Sequence, residues 1–223
     1  KGSKILIIIN GEYGRRAAEI ARRLSIASVE IEFPEDETPD LAKIEELLSK
    51  NPDVTHSFFV HCETTSGILN PLTDAMRLLK SKGIVTIVDA MSSFGGIPLL
   101  VDKEQIDFLI SCSCKCLQGV PGFSFVIARL EELKKCKGNS PSLTLDLFDE
   151  WEYSQNTGGC FRFTPPTHAI LALDVALNEL EAEGGIAKRH ERFVSNQKTL
   201  SEGLAALGIQ AFDLKGHQSP FLT

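Results

Sequence analysis

The run Ile5-Leu-Ile-Ile-Ile9 leaves no position free to face water. A strand of that composition must be covered on both sides, which places it inside a sheet held between layers of helix. Shorter runs of the same character recur at Val29–Phe33, Ser57–Val60, Ile84–Val88, Asp107–Ser111 and Phe123–Ile127. Between them the apolar residues change period. Ala17, Ile20, Ala21 and Leu24 share one helical face, as do Leu41, Ile44, Leu47 and Leu48, and a further helix is predicted over Thr73–Ser81. Buried strands alternating with helices predict an α/β fold with a mostly parallel sheet and right-handed crossovers. Ligands of such sheets lie beyond the carboxyl ends of the strands, so the loops at Asn10, Glu63, Asp89 and Ser111 are expected on one edge. Further along, Ser142–Trp151 reads as a short helix or arm and Thr157–His168 as a Gly/Pro-punctuated loop. Two helices follow, Ala169–Glu183 and Ile186–Leu207, the second closed by Gly208. This divides the chain into a large domain over 1–207 and the opening of a second over 208–223.

With 223 residues and 43% apolar content, the chain can bury a sizeable core. Its net charge of −7 and the absence of a basic stripe argue against a nucleic-acid partner. No run reaches the length of a membrane span, and Lys1-Gly-Ser-Lys-Ile-Leu6 is no signal peptide; a cytoplasmic location is expected from the cysteines. The six cysteines are dispersed and are expected as reduced thiols. Cys112, Cys114 and Cys116 would share one face if all lay on a strand. No His/Cys pair at zinc spacing accompanies them, and no metal is expected.

The chemistry concentrates at Lys115 and Asp89. Lys115 sits in Ile110-Ser-Cys-Ser-Cys-Lys-Cys-Leu-Gln-Gly-Val-Pro-Gly-Phe123, among small and apolar neighbours that predict a desolvated amine. Such an amine is the usual lysine nucleophile toward carbonyls. Asp89 closes the strand Ile84–Val88, where a carboxylate is placed to hold a heterocyclic cation. Together they point to pyridoxal phosphate, with Lys115 as the Schiff-base lysine and Asp89 on the pyridinium nitrogen. The alternative is a surface lysine and an aspartate capping the turn Ala90–Gly96. A hydroxyl of Thr64 or Thr65 either bonds the cofactor's phenolic oxygen or shapes a turn. Glu63 reads as a buried structural carboxylate, and Tyr13, in a Gly-flanked turn, as a stacking ring or a plain turn aromatic. His61 and His168 read as packed histidines, while Arg162 and Thr164 are candidates to grip a phosphate.

Five stretches carry a resemblance: Asn10-Gly-Glu-Tyr-Gly-Arg15, His61-Cys-Glu-Thr-Thr-Ser-Gly-Ile-Leu-Asn-Pro71, Val88-Asp-Ala-Met-Ser-Ser-Phe-Gly-Gly-Ile-Pro98, Lys115-Cys-Leu-Gln-Gly-Val-Pro-Gly-Phe123 and Arg162-Phe-Thr-Pro-Pro-Thr-His168. Together they resemble the class V aminotransferases of the fold-type I pyridoxal-phosphate group. The resemblance implies a large domain with a mostly parallel, seven-stranded sheet, cut at both ends. It also implies transfer of an amino group from 2-aminoethylphosphonate to pyruvate. It maps the cofactor lysine to Lys115, the ring-nitrogen carboxylate to Asp89, the phenolate donor to Thr64 and the stacking ring to Tyr13. It further implies a homodimer with shared sites, in which Arg162 and Thr164 reach the neighbour's cofactor phosphate. Relatives carry Asn, Gln or His before the lysine, whereas this chain has Cys114, which puts a contact near the phosphate in question. The family's Gly-rich phosphate loop would lie upstream of Lys1 and its substrate-binding arginine beyond Thr223, so these residues alone are expected to bind cofactor weakly and turn over slowly or not at all. The competing readings are another aminotransferase of the class, acting on alanine and glyoxylate or on serine and pyruvate, and a non-catalytic scaffold chain. A nucleotide-binding domain is disfavoured because no Gly-x-Gly-x-x-Gly follows the first strand.

Overall fold

Alternate residues of the first strand bury into opposite sides of one sheet. In the computed structural model, which describes residues 2–223, β1 spans Lys4–Ile9. Its Leu6 and Ile8 enter one apolar cluster with Ile44, Leu48, Phe59, Met76 and Leu79, while Ile7 and Ile9 enter another with Ala18 and Ala21. A strand with no polar face therefore sits where the two-sided cover requires it.

The helix α1 (Glu12–Arg23) covers the smaller cluster, and α2 (Leu41–Lys50) and α3 (Leu72–Ser81) cover the larger. The strands are β2 (Ala27–Glu32), β3 (His56–Val60), β6 (Val85–Asp89), β7 (Phe108–Cys112) and β8 (Ser124–Ala128), with a small antiparallel ladder of β4 (Cys62–Glu63) and β5 (Ile68–Leu69) after β3. The main sheet runs β2-β1-β3-β6-β7-β8, and every pair is parallel except β7–β8. The main sheet has six strands among the described residues, against the seven-stranded type that the resemblance implies.

Downstream lie α4 (Leu130–Lys135), α5 (Leu147–Asn156), α6 (Thr167–Glu183) and α7 (Gly185–Ala206). The predicted 142–151 helix starts later because Asp146 caps it, accepting from the Phe148 and Asp149 amides at 3.0 and 3.1 Å. Gly208 follows α7 with φ 77°, the left-handed conformation expected of a residue that ends a helix. The chain then returns to the β4–β5 ladder: the Leu69 amide donates to the His217 carbonyl at 2.7 Å, and the Ser219 amide to the Gly67 carbonyl at 2.9 Å. A single antiparallel bridge, Ile68 to Gln218, forms there.

At the amino edge of the sheet the buried Asp107 carboxylate holds β6 and β7 in register. It accepts from Lys80 Nζ at 2.6 Å and from the Thr86 amide at 2.9 Å. This leaves the opposite, carboxyl edge for chemistry. No helix among the described residues is long and apolar enough to cross a membrane.

Candidate active site

Parallel pairing of β1, β3, β6 and β7 brings the loops that begin at Asn10, His61, Ala90 and Ser113 to one edge. Buried side chains tie these loops together. Asn10 and Asn70 exchange side-chain hydrogen bonds at 2.8 and 3.1 Å. Glu63, fully buried, accepts from the Tyr13 amide at 3.1 Å, the Thr65 amide at 3.2 Å and the Thr65 hydroxyl at 2.8 Å. It therefore satisfies the otherwise unpaired Tyr13 amide at the positive end of α1. Gly11 permits that approach, since a Cβ there would lie 2.2 Å from Glu63 Cγ. Glu63→Ala is expected to lower unfolding stability by about 1–3 kcal/mol, measured by urea denaturation, because buried amides lose their acceptor.

Asp89 ends β6, half-buried, with one carboxylate oxygen accepting from the Met91 amide at 2.9 Å. Burial pushes its pKa up. The Met91 amide opposes that shift, the Glu63 charge adds to it, and the Lys115 ammonium draws it back down. Asp89 and Lys115 thus feel one another's charge across the loops.

Beneath Asp89, the His61 amide donates to the Asp89 carbonyl at 2.9 Å, and His61 Nδ1 meets the Ser93 hydroxyl at 2.9 Å. Burial lowers the His61 pKa from 6.5 to about 4. The imidazole is therefore neutral when folded, and the stability it contributes is fully present above the unfolded value and lost as pH falls toward the folded one. Stability is expected to drop by about 3 kcal/mol across that window, and His61→Gln is expected to flatten the drop in urea titrations at a series of pH values. His61 is a packed histidine, as its sequence context indicates. His168, by contrast, is exposed at the start of α6.

Lys115 projects from a tight loop after β7. The Gln118 amide donates to the Lys115 carbonyl at 2.8 Å and the Gly119 amide to the Ser113 carbonyl at 2.9 Å. Gln118 takes φ 63°, an uncommon value for a side-chain-bearing residue. The side chain of Lys115 is exposed, contrary to the expected desolvation, because it is Cys116 and Leu117 that turn into the core. Lys115 instead lines a cavity of about 230 Å³ together with Thr64, Ser92, Gln118, Phe193 and Phe221. The walls meet closely: Cys116 Sγ donates to the Ser92 carbonyl at 3.2 Å, and a Cβ on Gly96 would lie 2.6 Å from that sulfur.

The cysteines differ from expectation in the same loop. Only Cys112 lies on β7, since the chain turns at Ser113 before Cys114 and Cys116 can continue the strand alternation. Burial raises the Cys62 and Cys116 thiols to about 12, so both stay protonated and inert as nucleophiles.

Of the expected site residues, Thr64 and Lys115 face the cavity, and Asp89 interacts with Lys115 electrostatically. Tyr13 lies in the first turn of α1, not in a turn, and Arg16 stacks 4.8 Å above its ring. Cys114 is half-buried, its sulfur 3.7 Å from that of Cys112, and does not line the cavity. Arg162 pairs with Asp149 at 3.0 Å and donates to the Leu143 carbonyl at 3.0 Å, and Thr164 is exposed beside it. Both stand outside the cavity. Gln118 and Phe193 were not anticipated there. Gln118 lies inside the lysine stretch, but Phe193 comes from a distant helix and carries no local signal.

A parallel α/β sheet with an accessible lysine and a strand-end carboxylate at its carboxyl edge is the architecture of a pyridoxal-phosphate enzyme, and the class-V aminotransferase family model matches residues 1–219. The chain belongs to the class-V aminotransferase family. Among curated relatives, a 2-aminoethylphosphonate–pyruvate transaminase of Bacillus cereus is 47% identical over all 223 residues, which span 61% of that relative's length. Among solved structures, pyridoxamine–pyruvate aminotransferase from Mesorhizobium loti superposes with a TM-score of 0.87 at 28% identity, covering 98% of this chain and 56% of its own. Alanine–glyoxylate aminotransferase from Nostoc sp. gives 0.85 at 25% identity, covering 98% and 58%. The family implies pyridoxal phosphate, and the residues present fit it. A half-buried carboxylate, its charge destabilised by burial, calls for a cationic partner, and Lys115, whose charge acts on it, shares a cavity with Thr64, although Asp89 itself does not line that cavity.

Proposed function

We propose that this chain is the cofactor-binding core of a transaminase that moves the amino group of 2-aminoethylphosphonate to pyruvate, giving phosphonoacetaldehyde and L-alanine. The observation that carries the catalytic part is the meeting of Lys115 and Thr64 on one cavity, within electrostatic reach of Asp89. The donor–acceptor pair rests on the 47% identity to a relative of that name over the whole chain.

When bound, pyridoxal phosphate supplies an electron sink for the carbon that bears the substrate amine. Asp89 would hold the protonated ring nitrogen, and ionising beside that cation would relieve its burial. The Lys115 amine would engage the aldehyde and, once released, remove and return the proton at that carbon as general base and acid. Its exposure keeps it free to swing between these tasks. Thr64 would donate to the phenolic oxygen. Tyr13 would stack on the ring, and Cys114 would stand near the phosphate. The site works in the cytoplasm, where its thiols stay reduced.

The chain acts as a homodimer with shared sites, in which Arg162 and Thr164 serve the neighbour's phosphate. Leu143, Leu145, Phe161, Phe163, Leu171 and Val175 expose their side chains around that arm, an apolar surface suited to cover. Residues 208–223 open a second, smaller domain, a reading supported by the left-handed stop at Gly208.

Incubation with pyridoxal phosphate and pyruvate, following alanine formation, tests the substrate. Faster alanine formation from 2-aminoethylphosphonate than from serine is expected. A preference for serine with pyruvate, or glycine formation from alanine when glyoxylate replaces pyruvate, would transfer the assignment to another member of the class. A protein that takes up no cofactor would point to a scaffold.

A further inference from the structure

Arg189, on the second turn of α7, is the largest fully buried side chain of the described residues, 2% exposed. A buried guanidinium is unfavourable unless its donors are met, and here Nε and Nη1 meet particular partners. Nε donates to Glu183 at 2.9 Å, while Nη1 donates to the carbonyls of Cys116 at 3.1 Å and Leu117 at 3.2 Å. Those carbonyls belong to the two residues immediately after Lys115. Arg192 extends the grip, bonding Glu183 at 2.7 Å and the side chain of Gln118, the residue with positive φ, at 3.0 Å. Between them, His190 Nδ1 lies 3.0 Å from the Gly96 carbonyl, in the loop that follows Asp89. One stretch of α7 thus holds both loops of the site, more than seventy residues away along the chain.

From this geometry we propose that Arg189 is a positioning residue for Lys115, fixing the backbone of the lysine loop so that the amine emerges into the cavity. The proposal rests on the assignment of Lys115 as the cofactor lysine. An apolar side chain would fill the same volume without desolvating a charge. What only the guanidinium supplies is a bond to two successive carbonyls together with a carboxylate clamp.

Two readouts test this on the whole chain, comparing Arg189→Met and Arg189→Lys with Leu180→Ala, a buried α6 residue that touches neither carbonyl. The first needs no cofactor. Amide hydrogen exchange at Gln118 and Gly119, relative to the central strands, is expected to quicken about tenfold in Arg189→Met and less in Arg189→Lys, which keeps the charge but not the fork. Leu180→Ala is expected to lower the melting temperature without singling out those amides. The second is the visible circular dichroism of added pyridoxal phosphate, which reports how a lysine-bound ring is held. It is expected to collapse in Arg189→Met and to persist in Leu180→Ala at temperatures where both are folded.

Exchange at Gln118 and Gly119 no faster than elsewhere would overturn the proposal, and so would quickened exchange with an unchanged visible band. If Arg189→Met does not fold, Arg189→Lys decides by the same criteria. If the unsubstituted chain takes up no cofactor, the functional reading fails by itself, and the exchange experiment still decides whether Arg189 holds the loop.

Discussion

Lys115→Ala is expected to abolish covalent retention of pyridoxal phosphate while leaving the fold intact. The side chain is exposed and lines a cavity, so its removal opens no void in the core. Melting temperature and far-ultraviolet dichroism should therefore match the unsubstituted chain. The visible absorbance of the lysine-bound cofactor should vanish, and the amount fixed by borohydride should fall about tenfold or more, to the background of other surface lysines. Amino transfer, at whatever absolute rate the chain supports, should fall by about 10²–10⁴-fold, the span attributable to a positioned general base. A variant that kept both the absorbance and the transfer would remove Lys115 from the chemistry.

The second large effect has opposite signs for stability and for binding. Burial raises the pKa of Asp89, so its contribution to stability is fully present below the unfolded value of 3.8 and is lost as pH rises through the higher folded value. Above that folded value the carboxylate is held against its preference. Asp89→Asn removes that penalty, and the cofactor-free chain is expected to be as stable as the parent or more so, with a flatter pH dependence in the acid range. Cofactor affinity should move the other way. Loss of a charge-assisted bond to a ring cation, worth about 1.5–3 kcal/mol, corresponds to weakening by roughly 10–100-fold in a spectroscopic titration. A destabilised variant with unaltered affinity would mean that Asp89 merely caps the turn that begins with Met91. Strain held at a ligand-facing carboxylate and relieved by the ligand is a common trade between stability and function.

How far these features were legible in the chain varies with how locally they are determined. The isoleucines of β1 required two-sided cover, and the split of Leu6 and Ile8 from Ile7 and Ile9 meets that requirement. Placement of the site loops on one edge followed from parallel pairing alone. The solvation of Lys115 did not follow, because apolar neighbours in sequence predict a desolvated side chain only where the backbone is regular. In a tight turn Cys116 and Leu117 point inward while the lysine between Cys114 and Cys116 points out. The same turn separates the three cysteines that a strand would have aligned. The β4–β5 ladder and α4 were missed because each is too short to display a period. Arg189 was the least legible of all. In a run that also holds Lys188, His190, Glu191 and Arg192 it looks like part of a solvated face, and only contact with residues 116 and 117 makes it a core residue.

The central claim is that one amine, at the carboxyl edge of the sheet and near Asp89, is the anchor for the cofactor. Peptide mass mapping after incubation with pyridoxal phosphate and reduction with borohydride tests it most directly. The expected result is the added pyridoxyl-phosphate mass on the peptide that contains Lys115, formed at cofactor concentrations that leave the other lysines unmodified. The same mass spread evenly over surface lysines, or concentrated on a lysine remote from Asp89, would contradict it.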